Sequence, residues 1–318
     1  MKRAILRKLL SSILVVFVLT IVIFLIVRLL PGDPVTVMLG MNPTPEAKEA
    51  LIRRFNFDKP LVTQYWMWLK GILHGDWGNS MKAIGADPVI NHVLERFPRS
   101  FVLCITATLF SLVVAIPLGV ITAAKQNTRA DFIISSASLL VVSLPEFWIG
   151  MLLLLLFAVK LRILPTSGYT DPSVDFVAFI KSIIMPTLAL GLATAPATLR
   201  QIRSSMIDVL DEDYIMLSRT KGCSPGRVNF VHALRNSLIP IATTVTMQIA
   251  SLMAGVVIIE NVFTYPGLGQ YLLSSIQHRD YPAIQCSIFF FSIVVVASNL
   301  LCDIILTFID PRIRIDSK

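Results

Sequence analysis

The chain has 318 residues, 55% of them hydrophobic and 15% charged, with a mean hydropathy of +0.73. That balance excludes an ordinary soluble domain and marks a polytopic, all-α membrane protein. The net charge of +8 is no nucleic-acid signal here, because an excess of Lys and Arg normally marks the cytoplasmic ends of spans.

Residues 1–8 carry Lys2, Arg3, Arg7 and Lys8, and an apolar run over residues 9–30 follows. The run is longer than a signal-peptide core, and LLPGDP stands where a small-residue cleavage site would be. It is predicted to be a retained first span with its amino terminus inside. Arg28, near the outer end, is expected to extend its head toward the interface. Residues 31–100 are polar yet helical in pattern. In LVTQYWMWLKGIL, for instance, Leu61, Tyr65, Trp68 or Leu69, and Ile72 share a side. Trp66, Trp68 and Trp77 suit a bilayer interface. This stretch reads as an external subdomain resting on the membrane or on a partner subunit.

A second apolar run covers residues 101–124, and a third, long enough to span with tilt, covers 132–159. The third is interrupted by SLPEFW, Ser143 to Trp148, where Pro145 breaks the helical ladder and Glu146 sits near mid-run. A carboxylate at that depth is expensive. Either Glu146 faces a substrate pathway, with Ser143 and Trp148 beside it, or it is satisfied by backbone freed at Pro145 or buried against another subunit. The fourth run, 176–199, contains Pro186, Pro196 and the series LALGLATAPA, whose small residues suit close helix packing. A polar loop over 200–236 leads to the fifth run, 237–259. The sixth run is 283–309, and 310–318 is a polar tail.

Six runs put both termini and the polar loop on one side. Fifteen Lys and Arg lie in the pieces assigned to the inside. The two short outer connections and their flanks hold only Lys160, Arg162, Lys181 and Arg279. By the positive-inside rule the termini are expected in the cytoplasm.

The polar island from Gln201 to Pro240 is longer than a connector needs to be. Met206, Leu210, Tyr214 and Leu217 have the spacing of one helical face, and Val228, Val231, Leu234 and Leu238 that of a second. Gly222 suits a helix C-terminus, and Ser224 followed by Pro225 is a start signal. A charged helix–turn–helix on the membrane surface is predicted. DNA is excluded as its target: Asp208, Asp211, Glu212 and Asp213 offset Arg203, Arg219, Lys221, Arg227 and Arg235, and the segment is tied to a bilayer at both ends.

No GxxxxGK[ST], HExxH or GxSxG occurs, so the usual P-loop ATPase and intramembrane hydrolase patterns are missing. His74, His92, His232 and His278 are unpaired at ligand spacing, so no metal site is expected. Cys104, Cys223, Cys286 and Cys302 suggest no disulfide framework. A transport subunit or a membrane scaffold remains.

Several blocks then carry a resemblance that runs nearly end to end. They are RLLPGDPV (28–35), FDKPLVTQYWMWLKGILHGDWGNS (57–80), SLPEFW, EDYIMLSRTKG (212–222), HALRNSLIP (232–240), YPGLGQYLLSSIQHRDYP (265–282) and DPRIR (310–314). The chain resembles the first permease subunit of bacterial ABC importers of the dipeptide, oligopeptide and nickel group. The island matches the family's coupling motif, with Gly222 as its glycine. The chain departs from the motif in two places. Met216, Leu217 and Ser218 replace Glu-Ala-Ala, while His232, Leu234 and Arg235 stand where Ile, Leu and Pro would be. The resemblance implies a six-span permease in the bacterial inner membrane, with a second permease, two ATPase subunits and an extracytoplasmic solute-binding protein as partners. It implies that Met216, Leu217, Ser218, Arg219, Lys221, Gly222, Ser224, Pro225 and Arg227 couple to an ATPase. ATP and Mg would then act on the partner ATPases, with no cofactor in this chain. Peptides are the expected solute, with a nickel chelate, glutathione or an opine-like conjugate as alternatives. A stand-alone secondary transporter or a membrane scaffold is the rival class.

Overall fold

The computed structural model describes residues 2–29, 34–39, 44–82 and 86–309. The segments Pro31–Asp33 and 310–318, including DPRIR, lie outside them.

Among the described residues the chain is helical, with no strand beyond one isolated bridge between Asn79 and Pro88. In chain order the helices are α1 (Lys2–Leu29), α2 (Pro34–Leu39), α3 (Pro45–Arg54), α4 (Leu61–Leu73), α5 (Val89–Ala124), α6 (Arg129–Val142) and α7 (Glu146–Leu153), which continues as a π-helical stretch, Leu154–Lys160. Then come α8 (Phe176–Leu210), α9 (Asp213–Thr220), α10 (Pro225–Arg227), a π-helical stretch Val228–Ala233, α11 (Leu234–Val262), α12 (Leu268–Gln277) and α13 (Tyr281–Ile309). Five described helices are long and apolar enough to cross a bilayer: Leu6–Leu29, Val89–Ala124, Phe176–Leu210, Pro240–Val262 and Tyr281–Ile304.

The expected third span is not one helix. α6 and the Glu146–Lys160 segment meet at 99°. Each limb rises only about 20 Å, short of the roughly 30 Å hydrocarbon core, so the bent pair counts as a sixth span only when its two limbs are taken together. The cause is local: Pro145 has no N–H to give and disfavours helical geometry at Leu144. Ser143 ends α6, its hydroxyl donating back to the Leu139 carbonyl at 2.9 Å.

The chain forms two compact units. One comprises residues 1–8, 101–265 and 297–318; the other comprises 9–100 and 266–296. In the first, α8 is the central element, packed against α6, α7 and α11. Its LALGLATAPA face is buried at Ala189, Leu190, Gly191, Ala195 and Pro196. A Cβ on Gly191 would stand 2.5 Å from a ring atom of Phe110, and one on Gly119 would stand 2.7 Å from Ile202, so α5 and α8 approach at glycine distance. Polar locks fix the register. Thr106 and Thr187 share a hydrogen bond at 2.9 Å, and Gln248 bridges Thr198 (2.8 Å) and the Thr194 carbonyl (3.0 Å).

In the second unit, the stretch read as an external subdomain is gathered with α1, α12 and the start of α13. Aromatic anchors explain the gathering. Phe24 packs on Tyr65 and Trp68 at 5.5 and 5.9 Å, and Trp77 packs on Phe289 and Phe290 at 5.1 and 5.5 Å. Buried Asp280 accepts from the Ser80 hydroxyl at 2.5 Å, and Leu268 N donates to Ser100 Oγ at 2.8 Å. The inward side of α4 is Gln64, Tyr65 and Trp68, whereas Leu61, expected on that side, is exposed. The Arg28 head lies on the rings of Phe24, Phe57 and Tyr281.

Candidate functional site

The candidate site grows from the end of α8. At 35 residues this helix rises roughly 52 Å, well beyond a hydrocarbon core. Its final turns therefore carry Arg200, Arg203 and Asp208 past the apolar layer. It stops at Asp211, and after Glu212 the chain restarts as α9.

Charge suits the ends of α9. Glu212 and Asp213 stand at its amino end, Arg219 and Lys221 at its carboxyl end, each sign matched to the helix dipole. Its close is a complete Schellman motif: Gly222 N donates to Arg219 O at 3.0 Å and Cys223 N to Ser218 O at 3.3 Å, with Gly222 at φ +79°. Ser224 then caps the next helix by accepting from Arg227 N at 3.4 Å, with Pro225 in the first helical position. The two helices are thus separated by a tight, internally bonded turn.

The two expected stripes are corrected here. The break at Asp211–Glu212 changes the phase of the first. Met206 is buried on α8, but Tyr214 and Leu217 are exposed and the inward residue of α9 is Ile215, 0% exposed. The π-helical stretch changes the phase of the second, so that Val228 is buried while Val231 is exposed; Leu238 is not among the residues whose side chains are described. The second limb is also not a separate helix. Pro225 to Val262 runs without a break into the fifth apolar run.

Ile215 seats α9 in a cluster of Val120, Ala123, Ile202, Met206, Val228 and Ala233. Asn236 Nδ2 donates to the Tyr214 hydroxyl at 2.6 Å, and Ser237 Oγ donates to the Ser205 carbonyl at 3.2 Å. One turn along α8, Arg203 grips Asp131 of α6 with two bonds, Nε at 2.9 Å and Nη2 at 2.8 Å. Asp131 also accepts from Asn127 N and Ser135 Oγ. A paired, largely buried carboxylate of this kind ties α6 rigidly to α8. Spacing alone could not identify Ile215, Asn236 or the Asp131–Arg203 pair, because each depends on which elements meet.

Much of what α9 leaves outside is apolar. Met216 is 66% and Leu217 55% exposed, with Tyr214 beside them and Phe230 and Val231 exposed on the following helix. The segment is too charged to lie in hydrocarbon, so its uncovered apolar side chains form a surface suited to a groove on another protein. Arg219, Lys221 and Arg227 are exposed around it.

The other predicted residues lie elsewhere in the same unit. Glu146 opens α7 and faces α11, where a Cβ on Gly255 would stand 2.5 Å from its Oε2. Gly150, one turn on, receives Phe263 and Ile259 in the same way. Two glycines, one on each helix, thus let α7 and α11 meet closely, and the carboxylate occupies one of the gaps. Ser143 and Trp148 are exposed rather than turned to that contact.

Residues 115–315 match the family described as binding-protein-dependent transport system inner membrane component, and residues 1–104 match its amino-terminal counterpart. The chain belongs to this family. It is 35% identical to the oligopeptide transport system permease protein AppB of Bacillus subtilis (strain 168), covering 98% of both chains. It is 34% identical to the dipeptide transport system permease protein DppB of Escherichia coli (strain K12), over 93% of this chain and 94% of that one. It is equally identical, over 98% of each, to the glutathione transport system permease protein GsiC of the same strain. A chain from the inward-facing MetNI methionine ABC transporter shares the fold at 15% identity. The TM-score is 0.58, over 70% of this chain and 97% of that one. The chain is therefore a multi-pass permease of the bacterial ABC importer class, one component of a system that also contains an ATPase.

Proposed function

We propose that this permease is the non-catalytic translocation subunit of an importer for di- or oligopeptides, and that it works by alternating access. A second permease, two ATPase subunits and an extracytoplasmic solute-binding protein complete the machine. ATP and Mg act on the ATPases, with no cofactor in this chain. Both termini and α9 lie in the cytoplasm, in keeping with the Lys and Arg distribution.

The observation that carries the reading is the build of α9: Ile215 clamped inside, Met216 and Leu217 uncovered outside. A short helix held this way passes a push from a neighbour directly into α8, α5 and α11. ATPase closure would bias the spans between two packings that differ by a few kcal/mol. Met216, Leu217 and Ser218 contact the ATPase groove, Arg219, Lys221 and Arg227 tune encounter at its rim, and Gly222, Ser224 and Pro225 hold the turn. Glu146, with Ser143 and Trp148 nearby, borders the solute route and favours solutes bearing an amino group.

Peptides are favoured because two full-length relatives are peptide permeases; the glutathione relative supports a second reading in which the solute is that γ-linked tripeptide. Uptake of a labelled dipeptide into vesicles holding the whole importer decides between them. The expected result is ATP-dependent uptake, competed by longer peptides more than by glutathione or nickel chelates, with Glu146→Gln shifting preference toward neutral peptides. ATP-independent uptake by this chain alone would make it a secondary transporter.

A further inference from the structure

The unit formed by residues 9–100 and 266–296 contains a cavity of about 330 Å³ that no part of the coupling account uses. Arg28, Gln64 and Gln285 line it, on α1, α4 and α13. The Arg28 guanidinium carbon lies 5.1 Å from the ring centre of Phe24, 4.8 Å from that of Phe57 and 5.2 Å from that of Tyr281. Aromatic faces stabilise the cation but accept nothing from its in-plane N–H groups. Among the described residues no hydrogen-bond acceptor meets those donors. Among the described residues Arg28 has no ion pair, and its Nε is shut from solvent without a hydrogen bond.

Two more residues of the same wall each hold a buried polar atom without a partner. Gln285, 4% exposed, has an unpartnered Nε2 donor. Gln64, 7% exposed, gives its amide to the Lys59 carbonyl at 2.7 Å and keeps an unpartnered Oε1 acceptor. Buried polar groups are nearly always bonded, so three idle ones around one cavity call for a ligand. A cation and an amide donor fit an oxyanion; the idle acceptor, with Asp76 on the same wall, fits a hydroxyl or ammonium joined to it.

We infer that this cavity binds a phosphate ester, and that its source is the headgroup of a membrane phospholipid. The flanks favour the lipid over a soluble ester. Leu25, Ile26 and Leu29 of α1 and Val62, Trp66 and Leu73 of α4 are all exposed, giving acyl chains an apolar surface on the helices that carry Arg28 and Gln64.

Native mass spectrometry of the full chain, purified in detergent with its accompanying subunits, tests this. The probes are dimyristoyl phosphatidylglycerol, dimyristoyl phosphatidylethanolamine, phosphate-free dimyristoylglycerol and glycerol phosphate. Both phospholipids should bind, and dimyristoylglycerol should not. Arg28→Gln should weaken lipid binding at least tenfold. Gln285→Glu, which supplies its own carboxylate, should do the same and covers the case in which Arg28→Gln fails to fold. Lys160→Gln, in the other unit, should change nothing. Glycerol phosphate displacing the lipid at equal concentration would uphold the phosphate site and overturn the lipid as its occupant. Unchanged lipid binding in Arg28→Gln or Gln285→Glu, or equal binding of dimyristoylglycerol, would overturn the site.

Discussion

Gly222 sits at φ +79° with open space where a Cβ would go. A side chain there meets no neighbour, so any cost is conformational, about 1–2 kcal/mol for an ordinary residue and less for Asn. Gly222→Ala and Gly222→Leu should therefore behave alike, while Gly222→Asn stays near wild type. In the assembled importer, solute-stimulated ATP hydrolysis should fall several-fold in the first two, with the span fold intact by circular dichroism. A graded loss that follows side-chain size instead would mean that the turn's dihedral is not what matters. The glycine was legible from the sequence because its neighbours announce it: a helical stripe before it and Ser-Pro after it. Which group fills the space beside Gly255 was not legible, since nothing near it in sequence points to Glu146.

At the scale of elements, α9 is held by one buried side chain more than by its length. Eight residues make a marginal helix on their own. Removing the Ile215 side chain beyond Cβ should cost about 2–5 kcal/mol, most of it as loosening of α9 rather than of the spans. Hydrogen exchange on Ile215→Ala should show faster exchange within residues 213–220 and little change in α8 and α11. Uniform destabilisation would show that α9 is merely part of the core. Periodicity failed here for a physical reason. A stripe at steps of four, four and three marks one face only while the helix is continuous, and the break at Asp211–Glu212 rotates everything after it. The π-helical stretch did the same to Val231. Pro145 was read as a break, but a single chain position could not give the 99° it produces.

Across the whole molecule, composition and run length were enough for an all-helical membrane protein, because in hydrocarbon a chain must satisfy its own backbone and few architectures can. They could not show that residues 31–100 would be gathered with α1, α12 and the start of α13, which is decided by aromatic contacts such as Trp77 on Phe289. Nor could they show which surface meets the ATPase. In the proposed function that surface is α9, with force entering at Met216 and Leu217 and leaving through Ile215 to the spans. A photoreactive amino acid at Met216 in the assembled importer measures this directly. The account predicts a covalent adduct between this chain and an ATPase subunit, absent when the same probe replaces Val113, an exposed apolar residue in mid-α5. A probe at Met216 that reacts with no ATPase subunit in an ATP-hydrolysing complex would contradict it.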